Sequence, residues 1–559
     1  MIRVISMARN SPLDREIIGL WKELSPSGAY TLGWNEYAGK LFVPSGENIA
    51  NALGRIGALK GKAENELQLK VLNGMETALQ FEEPQPVLDD ILGTTFNHLT
   101  KEGVKEGHLL SLFDYASRAL DATEERFRGR EVPTGVRALT LYRLDGVIEI
   151  LDAIRKATKS RRLKDACRKL GVKTRKFVSL FNLEGFGKGT FEEVEKVFQK
   201  YPFRLGRESY YPVALKMAFD YLETPEELEG KALSWIDEEL PKYRAVVKKL
   251  AAHYRCAADT ETVERKIAEK DKLRPADLVR LTNSIRRTVQ RFVDKDVVRI
   301  NKKYDTKVIE TPPYLSGVLP TGAASFFDTF TKKPFQLYFV TTDRRRDPPK
   351  TVAQLLNLLV HEEYGHCVNN SNSALHFGGN ASDLELIGTT HQGPVTEGLS
   401  FNREREFLGA VKKLEAKRGL TKVESEYVKL MKKFGGLQLV NLEVELLVRK
   451  WRLIRFLRVV GDVRINSGKQ SLFDFVDWAN RQTGVPRSNI YYQLFPAHEG
   501  MFPGYATFYA VVGEEIRSIE EKIRDDKKRI EFSTYLTGIG YPPRSIYRRK
   551  LEEFVAKLE

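Results

Sequence analysis

Residues 361–366 read His361-Glu362-Glu363-Tyr364-Gly365-His366, two imidazoles around carboxylates in a chain with only eight histidines. Metal-assisted peptide hydrolysis needs two such imidazoles on one helical face, a third protein ligand, a coordination position left for water, and a carboxylate beside them as base. The usual spacing is His-Glu-x-x-His, with the ligands at i and i+4. Here the second histidine stands at i+5. At about 100° per residue, an i, i+4 pair lies roughly 40° apart around a helix and an i, i+5 pair roughly 140° apart. His361 and His366 can share an ion only if the helix bulges or breaks between them, because one inserted residue restores the i, i+4 relation. Such bulges occur often at functional sites. Gly365 is the residue most tolerant of a break, so the spacing predicts a distortion at Tyr364–Gly365.

The downstream candidates for the third ligand are Asp383, Glu385, His391 and Glu397. Glu397 opens a new helix after Gly393-Pro394 and shares a helical face with Phe401, Glu404 and Leu408, which points it inward. A lone carboxylate on a buried face is costly without a positive partner. A metal supplies one. Glu397 is therefore the expected ligand, with His391 as the alternative.

The elements that must position these residues are mostly helical. Apolar residues recur at three- and four-residue spacing around 107–126, 145–158, 190–200, 262–303, 402–434, 439–461 and 508–528. One strand stands out, Phe335 to Thr342, rich in aromatic and β-branched residues. Pro348-Pro349 then leads to a helix capped by Thr351, with Val352, Leu355, Leu356 and Leu359 as its apolar stripe, and that helix runs into His361. Pro-Gly-rich punctuation over 311–350 places a lobe boundary near 305. The expected architecture is thus mainly α and two-lobed: a helical lobe over 1–305 and a metal-binding lobe over 306–559, with a short β-ribbon beside the metal helix.

With 559 residues, 42% of them hydrophobic, the chain can bury large cores and is not disordered in composition. It has no apolar run long enough to span a bilayer, and its first residues lack the apolar core of a secretory signal. Three distant cysteines, Cys167, Cys256 and Cys367, make no disulfide framework, so the expected address is the cytoplasm. The net charge of +15 raises a nucleic-acid partner. The basic residues, however, are interleaved with acids, and no zinc finger, RNP-type sequence or phosphate loop accompanies them, so a solvated basic surface is the expectation.

In these segments the chain resembles a large family of bacterial and archaeal proteins of poorly defined function, regarded as zinc peptidases of the gluzincin type. Their hallmark is His-Glu-x-x-Pro-Gly-His-His followed, some tens of residues on, by Glu-Gly. HEEYGHC matches with the proline deleted, aligning His361, Glu362, Gly365 and His366, while Cys367 stands where the second paired histidine would be. Thr396-Glu397-Gly398 matches the Glu-Gly segment. Pro503 to Tyr509, with Gly513-Glu514, looks like the family's Pro-Gly-Gln-Ala-x-x-Tyr-x-x-Gly-Glu, with Tyr505 in place of Gln. Ser25–Leu41, the strand FQLYFVTT, and Phe532 to Pro542 with Leu536 and Gly538 are similar to its other landmarks. The resemblance implies a helical fold with a central channel, like that of zinc oligopeptidases, and one Zn2+ held by His361, His366 and Glu397.

The chemistry expected of such a site is hydrolysis of oligopeptides, with Glu362 as general base. An oxyanion donor is also required. The stretch Tyr491-Tyr492…His498-Glu499…Tyr505…Tyr509 is rich in such groups; Tyr509, Tyr505 and His498 are the candidates, and the resemblance favours Tyr509. The strand at 335–342 offers a free edge for an extended substrate, and Arg344 to Arg346 offer cations for a C-terminal carboxylate, as a carboxypeptidase would use. The alternatives are a catalytically degenerate scaffold of the same fold, motivated by the missing proline and histidine, and a basic nucleic-acid-binding protein.

Overall fold

Ser11, Thr224, Thr351 and Thr421 each close a capping box, the side chain accepting from the backbone three residues on while that residue's side chain accepts in return. Each such start is worth about 1 kcal/mol. Together with the helical apolar spacing they give a mainly α chain. The structure, a computed structural model, describes residues 10–313, 315–316, 319, 321–331, 333–495 and 503–558.

Two helices of 30 residues, Pro225–Tyr254 and Leu437–Asn466, pack along one another. The core around them joins Val136, Leu139, Leu228 and Leu250 to Phe401, Phe456, Val460 and Tyr509, and so draws on both sides of position 305. A second core surrounds the helix that carries the histidines. There Leu355, Leu356, Leu359 and Tyr364 meet Ile285, Val289 and Phe292 of the Leu278–Asp296 helix, and Tyr338 and Val340 of the sheet. No helix among the described residues is long and apolar enough to cross a membrane.

The expected strand is present as Phe335–Val340 (β3), but it has company. Thr306–Glu310 (β1) lies parallel to it and Gly322–Phe327 (β2) antiparallel, in the order β1-β3-β2, with Val308 and Ala324 both opposite Tyr338. Instead of a ribbon with a free edge at 335–342, β3 is the central strand and both its edges are filled. β2 escapes a sequence reading because Gly-Ala-Ala-Ser lacks the β-branched and aromatic residues that mark strands.

Three expected helical stretches are divided, the 508–528 one ending at Glu520 before a new helix starts at Asp526. The 262–303 stretch is Thr260–Asp271 and Leu278–Asp296, broken where Lys272 adopts a left-handed conformation (φ 51°) and Pro275 follows. The 402–434 stretch is the end of Gln392–Ala416 and then Lys422–Lys432, broken at Gly419 (φ 74°). Pro and left-handed Gly end helices regardless of the apolar spacing around them.

Candidate metal centre

Thr351 Oγ1 accepts from Gln354 N at 3.0 Å and starts the helix Val352–Leu358 as expected. The chain then enters a π-helical segment over Leu359–Cys367, and Val368 N–H still reaches back five residues to the Glu363 carbonyl. In a π-turn the residue at i+5 stands where i+4 stands in an α-helix. The distortion is therefore spread over nine residues rather than confined to Tyr364–Gly365. Gly365 keeps an ordinary negative φ. Its lack of a side chain serves instead to let the Gln392–Ala416 helix approach, with Ser400 against it.

The wider turn brings the two imidazoles together, with ring centroids 4.9 Å apart and planes at 84°. Glu397, at the start of Gln392–Ala416, points between them. Its Oε2 lies 3.6 Å from His361 Nε2 and 3.4 Å from His366 Nε2, and the three donor atoms are all within 4.8 Å of one another. That oxygen is buried and makes no hydrogen bond. Three atoms able to ligate a cation thus converge within one small space. Two imidazoles and a carboxylate are the donor set of a catalytic zinc site, so the residues fit the ion.

The outer ring nitrogens are fixed by the same helix that carries Glu397. His361 Nδ1 is 2.7 Å from Glu404 Oε1, and Ser400 Oγ is 3.1 Å from His366 Nδ1. Residues 397, 400 and 404 share one helical face. Arg455 Nη1 holds both oxygens of Glu404, at 2.9 and 3.0 Å. Outer partners of this kind set the tautomer and aim Nε2 at the ion. Burial disfavours the charged His361 ring, but Glu397 and Glu404 outweigh it and push its pKa up to about 9. Burial likewise acts against the Glu397 charge, yet the two histidines hold its carboxyl well below the usual range. Glu404 stays ionised for the same reason, with Arg455 overcoming its burial. Neither Ser400 nor Arg455 is marked by the sequence reading, and Glu404 enters it only as a residue on the Glu397 face.

Glu362 is half-buried, and its Oε2 accepts a hydrogen bond from Ala324 N–H of β2 at 2.8 Å. The strand therefore fixes the expected base. Glu363 points the other way, fully buried against Arg286 Nε at 2.7 Å and the Tyr304 hydroxyl at 3.1 Å, and ties the segment to the neighbouring helix. Cys367 is buried and lies outside the ligand cluster.

Tyr509 lies in the first turn of the Phe508–Glu520 helix and stacks on His361, with ring centroids 6.2 Å apart and planes 20° apart. Its helix approaches that of Glu397 through two glycines: a Cβ built on Gly398 would lie 2.6 Å from Val512 Cβ. Tyr505 is half-buried with its ring 6.5 Å from that of Tyr509. Burial raises the pKa of both phenols, followed at Tyr509 by the charge of Glu397 and at Tyr505 by Tyr509 and then Glu397, so both remain protonated donors.

The other candidates go elsewhere. His391 is buried with Nε2 on the Lys70 carbonyl at 2.8 Å and takes no part in the ligand cluster. Asp383 binds Asn10, and Glu385 caps Ser382 and pairs with Lys550. Tyr491 is a core residue whose hydroxyl donates to the Gly189 carbonyl at 2.8 Å. Tyr492 is exposed. His498 lies outside the described residues. The Arg344–Arg346 run is on the surface, where Arg345 pairs with Asp343 at 2.7 Å and Arg346 with Glu149 at 3.0 Å, so it supplies no free cation cluster to the site.

No protein-family model matches the sequence, and no curated relative does. Two solved structures share the fold. One is described as "The structure of a putative lipoprotein of unknown function from Shewanella oneidensis", with a TM-score of 0.61, 16% identity and 96% of this chain aligned to 98% of that one. The other is described as "The crystal structure of the putative lipoprotein from Colwellia psychrerythraea", with a TM-score of 0.57, 13% identity and 98% of each chain covered.

Proposed function

We propose that the chain is a zinc-dependent peptidase acting on oligopeptides. The observation that carries this reading is the buried, unbonded Glu397 Oε2 at the meeting point of two imidazole Nε2 atoms. A zinc ion held there would supply Lewis acidity to the scissile carbonyl and to a water molecule. Glu362, with Oε2 fixed by Ala324 N–H, takes a proton from the attacking water and returns it to the amine nitrogen as the C–N bond breaks. Water adds its oxygen to the carbonyl carbon, and acid and amine leave with all atoms accounted for. The protonated Tyr509 hydroxyl, with Tyr505 beside it, donates to the oxyanion as it forms.

The test is metal content and hydrolysis of a pentapeptide mixture by wild type and Glu362→Gln. Wild type should bind about one zinc per chain and cleave; the variant should keep the metal and lose cleavage. Equal rates would remove Glu362 from the chemistry, and a wild type that takes up no zinc would favour the catalytically silent scaffold. We place the protein in the cytoplasm on its three unpaired cysteines. The description of both structural neighbours as lipoproteins makes a membrane-held location the alternative. Cell fractionation decides between the two.

A further inference from the structure

Arg458 is the buried charge near the metal centre that the mechanism above leaves unused. It sits on the Leu437–Asn466 helix with 4% of its surface exposed, and its Nε and Nη2 are buried without a hydrogen bond among the described residues. Its neighbours on the same face are satisfied. One turn earlier, Arg455 is bound to Glu404. One turn later, Asp462 accepts from the Tyr211 hydroxyl at 2.6 Å, Asn466 Nδ2 at 3.1 Å and Gly504 N–H at 3.1 Å. The field of Asp462 reaches Arg458, but its oxygens are taken. A buried guanidinium without an anion is among the most costly arrangements a core can hold.

The two unbonded atoms are informative. Nε–H and one Nη–H lie parallel along a single edge of the guanidinium, the edge that grips both oxygens of a carboxylate. The chain itself uses that edge elsewhere: Arg207 Nε and Nη2 each bind an oxygen of Glu83 at 2.5 Å. Arg458 leaves the same edge buried and unpaired. It also borders the candidate active site, since its Cζ is 4.7 Å from the Tyr509 ring that stacks on His361 and 5.8 Å from the Tyr505 ring.

We infer that Arg458 receives the C-terminal carboxylate of the substrate peptide, so that the enzyme removes residues from free C-termini. This rests on the peptidase reading. It replaces the surface arginines 344–346 as the carboxylate anchor and places the anchor beside the tyrosines that face the scissile bond.

The experiment compares one pentapeptide mixture prepared as free acids and as C-terminal amides, with products read by mass spectrometry. Zinc-loaded wild type should favour the acids by about 100-fold in kcat/KM. In Arg458→Met the ratio should fall towards one, chiefly through KM, and Arg458→Lys should restore part of it. A second measurement retains the two mixtures on immobilised Glu362→Gln protein, where acids should be enriched at least about tenfold over amides, and not when Arg458→Met is added. Wild type that cleaves amides as readily as acids, or retention that ignores the terminus, overturns the proposal. Selective retention without any hydrolysis would sink the peptidase reading and leave the carboxylate site standing. Should Arg458→Met fail to fold, the wild-type ratio and the Lys variant carry the test.

Discussion

Gly365 and Ser400 occupy the same small space from two helices: a Cβ at position 365 would lie 2.5 Å from Ser400 Oγ, 2.7 Å from its Cβ and 2.9 Å from its Cα. Two of these neighbours belong to the rigid base of the side chain or the backbone, so the helices must part if 365 gains a methyl. Gly365→Ala is expected to lower stability by about 1–3 kcal/mol and to weaken zinc binding, because His366 and Glu397 ride on the two helices concerned. Denaturant midpoint and chelator competition check this. An unchanged midpoint with full metal affinity would contradict the packing described.

Glu404 orients His361 without touching the ion site. Glu404→Gln keeps the shape and removes the charge, and zinc affinity should fall about 10–100-fold. Glu404→Ala should be worse for folding, since it leaves Arg455 buried and unpaired, at a cost of about 3–5 kcal/mol. Competition against a zinc-binding dye and thermal melting of the metal-free proteins separate the two effects.

Tyr509→Phe deletes only the hydroxyl. If that group donates to the oxyanion, kcat should fall about 100- to 1000-fold with KM and metal content nearly constant. A fall confined to KM would make Tyr509 a binding residue. The same change at Tyr505 ranks the two tyrosines.

Asp462 titrates in reach of neutrality, because burial pushes its carboxyl up to about 7 against the pull of Tyr211, Gly504 and the nearby arginines. The unfolded carboxyl titrates near pH 3.9. Between those values the folded protein holds a proton that the unfolded chain has lost, so stability falls as pH rises from about 4 to 7 and then levels off. The slope is about 1.4 kcal/mol per pH unit at most. Asp462→Asn should flatten it, so that wild type loses ground to the variant between pH 5 and 7.5. Denaturant titrations of both across that range check the sign.

Much of the candidate metal centre is written in local sequence. The apolar stripe ending at Leu359, the Thr351 cap, and the inward face of Glu397 each follow from residue type and spacing. The i, i+5 histidine pair demands a distortion, and the π-helical turn is its physical form. What spacing does not carry is contact between distant elements. Ser400 and Arg455 matter because two helices cross at the histidines, and β2 matters because a chain of small residues lies where Glu362 needs a donor. Arg458 is hidden for a different reason. In Arg-Phe-Leu-Arg-Val-Val-Gly-Asp a charged residue looks like the solvated face of a helix, and only burial on nearly every side reveals otherwise. The breaks at Pro275 and Gly419 were visible as residues, but apolar periodicity continues across both.

Arg455, Arg458 and Asp462 project from one face of the Leu437–Asn466 helix, and each serves a different part of the site: the histidine bridge through Glu404, the unpaired guanidinium edge, and the Gly504 turn that leads to Tyr505 and Tyr509. Arg455 and Arg458 are separated along that rod by about 4.5 Å of helical rise. On the proposed reading the helix works as a gauge: with Arg458 as the anchor, the span between the bond to be cut and the end of the peptide is set by backbone pitch, not by a loop that could lengthen or drift. A chain of this architecture that came to release a longer fragment would have to move its anchor by whole turns.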